Sequence, residues 1–197
     1  MRVLPATLVF LAFSGACTRD PVEAVCPSIP EGALVITEIR GPQSPADNDG
    51  PWVELYNASA STIDLAGIEV RFRHKDGSGE IPILVRRTQT VAAGEYVVLG
   101  LFLDDDPNKP TFVDYGFADD FAASGTSSWL PAAAIQVDSC GERIDAMQYD
   151  VLPKTGTYSL GVMPPNDTDN DLSASWCTDS TPAGTPRAAN NACPPPT

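Results

Sequence analysis

The sequence predicts an all-β protein folded as a β-sandwich, and three observations predict it. Of 197 residues, 19 are Pro and 15 are Gly, so turns punctuate the chain. Between the turns lie short runs rich in β-branched and aromatic residues, spaced at roughly 8–12 residues, the rhythm of a sandwich. Past residue 17, no stretch keeps a helical period long enough for an ordinary helix. The length suits one domain, and a hydrophobic content of 43% suits one core. Periodicity alone leaves a closed β-barrel as the other arrangement.

The chain opens with an address. Met1 and Arg2 precede a mostly apolar run from Val3 to Phe13, too short to span a bilayer and followed by small residues. That order reads as a secretory signal. Its ending, Ser14-Gly15-Ala16-Cys17, resembles the lipobox of bacterial lipoproteins, although Ser14 stands where that family prefers Leu. The resemblance implies that Cys17 becomes the acylated first residue of the mature chain and holds it at a membrane. Thr18 is not the Asp of an inner-membrane retention signal, which implies the outer membrane or cell surface. Plain secretion, with cleavage near Ala16 or beyond, is the other reading.

Residues 18–32 are polar and Pro-rich and read as a linker to a domain spanning 33–193. Ala33 to Arg40 is β-branched and reads as a strand. Trp52 to Asn57 alternates, with Trp52, Glu54 and Tyr56 on one side and Val53 and Leu55 on the other. Thr62 to Phe72 is strand broken at Ala66-Gly67, with Ile68, Val70 and Phe72 sharing a face. A turn at residues 76–79 leads into Ile81 to Val85. Glu95 to Leu103 is the most apolar run and is expected at the sheet centre. A charged loop from Asp104 precedes a short strand in Thr111 to Phe117, and Gly125 to Ser128 is loop. Ala134 to Asp138 and Arg143 to Tyr149 form two strands joined around Cys140-Gly141. Thr157 to Val162 is another strand, and 164–175 is a polar loop. Trp176-Cys177 begins the last ordered piece, and 194–197 is a frayed tail.

Charge and cysteines narrow the setting. The chain carries 12 Lys and Arg against 26 Asp and Glu, a formal −14. Loss of the leader removes only Arg2 and leaves −15. Such a chain repels nucleic acid and anionic lipid, so nucleic acid is not an expected partner. With Cys17 acylated, Cys26, Cys140, Cys177 and Cys193 remain, an even set that reads as two disulfides formed after export. Of the three connectivities, Cys26–Cys193 with Cys140–Cys177 is expected, because domain termini often lie close together. The Cys spacing and a single His, His74, argue against zinc.

Several segments, in order, resemble the lamin tail domain family. They are Leu34 to Ile39 followed by Trp52 to Asn57, like the family's strand ending in Glu and its V-E-L-x-N strand; Ile63-Asp64-Leu65-Ala66-Gly67, like its D-L-S-G turn; and Gly94 to Leu99, like P-G-E-Y-V-V-L. Ile144 to Tyr149 is similar to V-D-x-V-x-Y. Thr185 to Asn190 is similar to T-P-G-x-x-N, with Arg187 in place of Gly. The resemblance covers nearly all of 33–191 and implies an immunoglobulin-like sandwich. It carries no shared catalytic set; in bacteria such domains are accessory modules of secreted or surface proteins, often beside hydrolases. From the residues themselves, Asp64 and Gly67 suit a tight turn, and Asn57 and Asn190 suit hydrogen bonds to loop backbone.

Candidate chemistry is sparse. His74 lies among Arg71, Arg73 and Lys75 and reads as a solvated hairpin end rather than a catalytic base. No G-x-S-x-G elbow occurs, and nothing singles out an acid–base pair. Asp167, Asp169 and Asp171 place oxygens at alternate positions, the pattern calcium takes, and Asp47 and Asp49 form a lesser version; neither continues into a full loop, and a solvated acidic loop is the ordinary reading. Arg71, Arg73, Lys75, Arg86 and Arg87 form the main basic patch, which can equally balance neighbouring acids. The expectation is a non-enzymatic exported surface or envelope module that binds a protein or glycan partner or serves a structural role. The alternative is a metal-dependent hydrolase, or hydrolase accessory, working through the acidic loops.

Overall fold

The computed structural model describes residues 25–125 and 129–195. The leader with Cys17, the first part of the linker (18–24), residues 126–128 of the expected loop and the last two residues of the tail lie outside the described residues. In chain order the elements are β1 (Leu34–Arg40), β2 (Trp52–Asn57), β3 (Ile63–Asp64), β4 (Ile68–Arg73), β5 (Ile81–Leu84), β6 (Thr90–Val91), β7 (Tyr96–Gly100), β8 (Tyr115–Gly116), α1 (Ala118–Ala123), β9 (Ala133–Ser139), β10 (Glu142–Tyr149), β11 (Thr157–Leu160), α2 (Asp167–Asn170), a 3₁₀ turn (Ser173–Ser175) and β12 (Trp176–Asp179).

These strands make the expected all-β sandwich. One sheet has the order β12-β11-β1-β2-β7-β8, the other β10-β9-β4-β5, and β3 pairs with β6 at the side. Pairing is antiparallel except between β7 and β8. Between the layers, Leu34, Ile36, Ile39, Val53 and Leu55 meet Ile68, Val70, Phe72, Ile83, Ile135 and Val137, all buried. Helix α1 lies against β5, where the Asp120 carboxylate accepts the Leu84 N–H at 3.0 Å.

The two sheets differ in what covers their outer faces. β4 alternates buried and half-buried residues and β5 does much the same, as a sheet with one wet face does. β1 is buried at every position, Glu38 and Arg40 included. Its sheet carries a second apolar cluster outside, in which Trp52, Val98 and Val113 pack with Phe102 and Phe112. The rest of that outer face lies under the C-terminal strap, residues 180–193.

Several expectations need correction. The disulfides are Cys26–Cys140 and Cys177–Cys193, not Cys26–Cys193 with Cys140–Cys177. Cys140 forms the tip of the β9–β10 hairpin, and residues 25–27 run past that tip, the Ser139 hydroxyl donating to the Pro27 carbonyl at 2.7 Å. The strap returns to its own starting strand because Asn190 donates to the Leu160 carbonyl, and Leu160 pairs with Trp176 beside Cys177. Residues 25–32, read as linker, are therefore docked on the domain, and Gly32 N–H also donates to the Ile144 carbonyl. β7 is paired on both sides, but the sheet centre belongs to β1 and β2. Within Thr111 to Phe117 only Tyr115–Gly116 is strand, since the Asp114 carboxylate takes the Val98 N–H that a longer ladder would use. The polar loop 164–175 holds α2 and the 3₁₀ turn; Asn166 caps α2 by accepting from the Asp169 N–H.

Candidate functional site

Two outer faces could carry function: the covered one holds buried acids of the resembling segments, and the open one holds most of the basic patch. Glu38 and Glu54 are cross-strand partners in the β1–β2 register, next to a bulge at Thr37. Both are fully buried. The Glu38 carboxyl lies 2.5 Å from the Thr157 hydroxyl, 2.8 Å from the Ser159 hydroxyl and 3.1 Å from the Thr185 hydroxyl, and it accepts the Thr185 N–H. Glu54 accepts from the Thr37 hydroxyl at 2.9 Å and from the Arg187 N–H at 2.6 Å. Burial raises both carboxyl pKa values; for Glu54 the neighbouring Glu38 pushes the same way.

Arg40 continues the row. Its guanidinium meets the Asp47 carboxylate in a two-pronged contact at 3.1 and 2.5 Å and donates to the carbonyls of Gly50 and Pro182. That contact lowers the Asp47 pKa. Asn57 donates to the loop carbonyl of Ser61, as expected, and to that of Val91; Asn190 donates to the Thr37 and Leu160 carbonyls, which belong to strands β1 and β11 rather than to a loop. Asp64 accepts the N–H groups of Ala66 and Gln89 across the predicted turn. Gly67 there has φ +89, and a Cβ would run into the Val25 carbonyl. Asp145 reaches from β10 to β1, its carboxylate accepting the Ile36 N–H and the Asn170 amide, each at 2.7 Å; burial raises its pKa to about 7.

The open face belongs to the four-stranded sheet. Arg71 binds Glu69 and Asp138, Arg73 donates to the Gln136 amide oxygen at 2.8 Å, and Lys75 pairs with Asp150. Arg86 and Arg87, past the end of β5, bind Asp120 and Asp104. The basic patch is thus divided, and most of its charges are balanced by acids. Where β10 forms the edge of its sheet, a groove of about 660 Å³ opens between the sheet face and the 170–176 segment. Arg73, Gln136, Arg143, Gln148 and Asp150 line one side, and Asn170, Asp171, Ser173 and Trp176 the other. Such a wall of amides, charges and an indole can hold a hydrogen-bonding partner.

The acidic loops do not converge. Asp47 serves Arg40, Asp167 lies against Gly32, Asp169 accepts from the Asn166 amide, and Asp171 lines the groove. Asp49 donates its backbone N–H to Asp47. Among the described residues no group of three or more His, Cys, Asp or Glu is placed to hold a metal, so Asp167, Asp169 and Asp171 are not brought together as calcium ligands. His74 sits at the β4–β5 hairpin turn, its N–H donating to the Ser78 carbonyl. Sequence reasoning missed Glu38, Arg40 and Asp145 as buried charged residues. Their signal was the placement of charges inside apolar strand runs.

No protein-family model matches this chain, and no curated protein matches it significantly. Among the described residues no helix is long and apolar enough to cross a membrane. The two disulfides point to an oxidising, exported setting.

Proposed function

We propose that this chain is an exported, non-enzymatic surface or envelope module with an immunoglobulin-like sandwich of the lamin tail type, and that it binds a protein or glycan partner in the groove beside β10. One observation carries the reading. The polar residues at the fixed positions of the resemblance, Glu38, Glu54, Asn57, Asp64, Asp145, Thr185 and Asn190, are spent on hydrogen bonds that hold the fold, while the polar wall of the groove is built from residues outside those positions, among them Arg73, Gln136, Arg143, Gln148 and Asp150. A module whose marked residues are internal works through its surface.

Membrane anchoring through an acylated Cys17 belongs to the same proposal. Cys26 follows nine residues later and is tied to Cys140, so an anchored domain hangs within about 30 Å of the lipid.

The test measures capture of detergent-solubilised envelope material by the purified, immobilised full chain, so that lipid insertion contributes nothing, with Arg73→Ala/Gln148→Ala set against Asp105→Asn, an exposed loop control. Loss of capture by the groove variant alone is expected; equal capture by all three proteins overturns the groove. Mass spectrometry of the same preparation decides the anchor. An acyl adduct on Cys17 is expected, and an unmodified N-terminus further along the chain removes it.

A further inference from the structure

We propose that the C-terminal strap is a proton-dependent latch, held shut by a proton on the Glu38–Glu54 pair and loosened when that proton leaves. The argument starts from a count of hydrogens. Around Glu38 there are five close oxygen–oxygen contacts: Thr157 and Ser159 to Glu38, Thr157 to Ser159, Thr185 to Glu38, and Thr185 to the Asn190 amide oxygen. Three hydroxyls supply three hydrogens, so a carboxylate leaves two of the five contacts without one, and a carboxylic acid leaves one. The Asn190 oxygen is only an acceptor, so the 2.8 Å contact uses the single Thr185 hydrogen. The 3.1 Å contact between Thr185 and Glu38 then needs a hydrogen from Glu38, which a carboxylic acid has and a carboxylate lacks.

Geometry adds a second reason. The two acids are direct partners on neighbouring strands, both without solvent exposure. Two charges so placed repel through a medium that screens them poorly. The groups facing the pair do not neutralise it. From β7 comes Tyr96, whose pKa is raised to about 12 by burial and by the Glu54 charge. From the loop before β8 comes Asp114, another acid. The Arg187 guanidinium turns to Asp114 at 3.6 Å, and the Arg40 guanidinium is held by Asp47. A proton is the cation left to the pair.

The strap is what the pair holds. Its Thr185 N–H and Arg187 N–H end on Glu38 and Glu54. Cys177–Cys193 fastens its far end, so opening is local and reversible. The sign follows. The folded pair binds its proton more tightly than the open pair, so closure is complete at low pH and weakens as pH rises through the raised pKa values.

Trypsin reads the latch, because Arg187 lies in the strap. Cleavage after Arg187 in the full chain is followed from pH 6 to 9 and divided by cleavage of a free peptide of residues 181–192. The ratio is expected to climb by up to tenfold per pH unit above the ordinary carboxyl range of the open pair, and to level off once the closed pair has lost its proton. Glu54→Gln and Glu38→Gln, which cannot ionise, are expected to flatten the climb. Asp145→Asn, on the opposite side of β1, is expected to keep it. A flat wild-type ratio overturns the latch, with or without folded variants. So does a slope that survives in both Gln variants or vanishes in Asp145→Asn.

Discussion

The outer faces of the two sheets solve the same problem in opposite ways. On the four-stranded sheet, Arg71, Arg73 and Lys75 stand in partial contact with water and meet acids or amides there. On the six-stranded sheet, Arg40, Glu38 and Glu54 are removed from water altogether and meet the strap. Exposed ion pairs contribute little and tolerate change, because water screens them and replaces lost partners. Buried charges are costly unless every lone pair and hydrogen has a partner, so each change there leaves something unpaired. The covered face therefore specifies structure, and the open face is free to vary with a partner.

The largest expected effect tests that contrast directly. Arg40→Ala removes the donors to Gly50 and Pro182 and leaves a cavity under the strap. A loss of about 3–5 kcal/mol is expected from the orphaned carbonyls and lost packing together. Arg73→Ala, on the open face, is expected to change stability by no more than about 0.5 kcal/mol. Denaturant midpoints of the two variants decide. Equal costs would mean that the strap does not seal its face.

Next in size is the fastening of the strap. Cys177 and Cys193 close a loop with a sequence separation of 16. Replacing both by Ser is expected to cost about 3 kcal/mol if the bond acts by restricting the unfolded chain. The more telling readout is trypsin cleavage after Arg187, which rises if the strap needs its covalent end. Unchanged cleavage would give the whole hold to Glu38, Glu54 and Arg40.

The contrast also explains what was legible in the sequence. Strands on the open sheet announce themselves: Ile68, Val70 and Phe72 point inward while Glu69, Arg71 and Arg73 point out, and that alternation needs no tertiary knowledge. β1 is different. Its Glu38 and Arg40 ordinarily read as solvent-facing, and only a segment some 140 residues later makes them internal. The same distance defeated the disulfide expectation. Proximity of the termini pointed to Cys26–Cys193, but the ends dock at different places, Cys26 on the hairpin tip at Cys140 and Cys193 on β12. Local roles fared better: Asn57 and Asp64 bond nearby backbone as expected of turn residues, whereas Asn190 reaches back to Thr37 on β1. The groove was not legible, because β4, β9, β10 and the 170–176 segment meet there only after folding.

The smallest expected effect concerns Arg187, a strap residue whose backbone is left-handed, with φ 63. A side chain in that region costs about 1 kcal/mol or more, which Gly avoids. The conformation is imposed by function within the strap, since it aims the Arg187 N–H at Glu54. Arg187→Gly keeps that N–H and relieves the strain. Against this stand the loss of a half-exposed contact with Asp114 and the greater freedom of Gly in the unfolded chain. The balance is a gain of about 0.5 kcal/mol, read as a higher denaturant midpoint. A marked loss would show that the guanidinium, and not the backbone, is what the strap requires at this position.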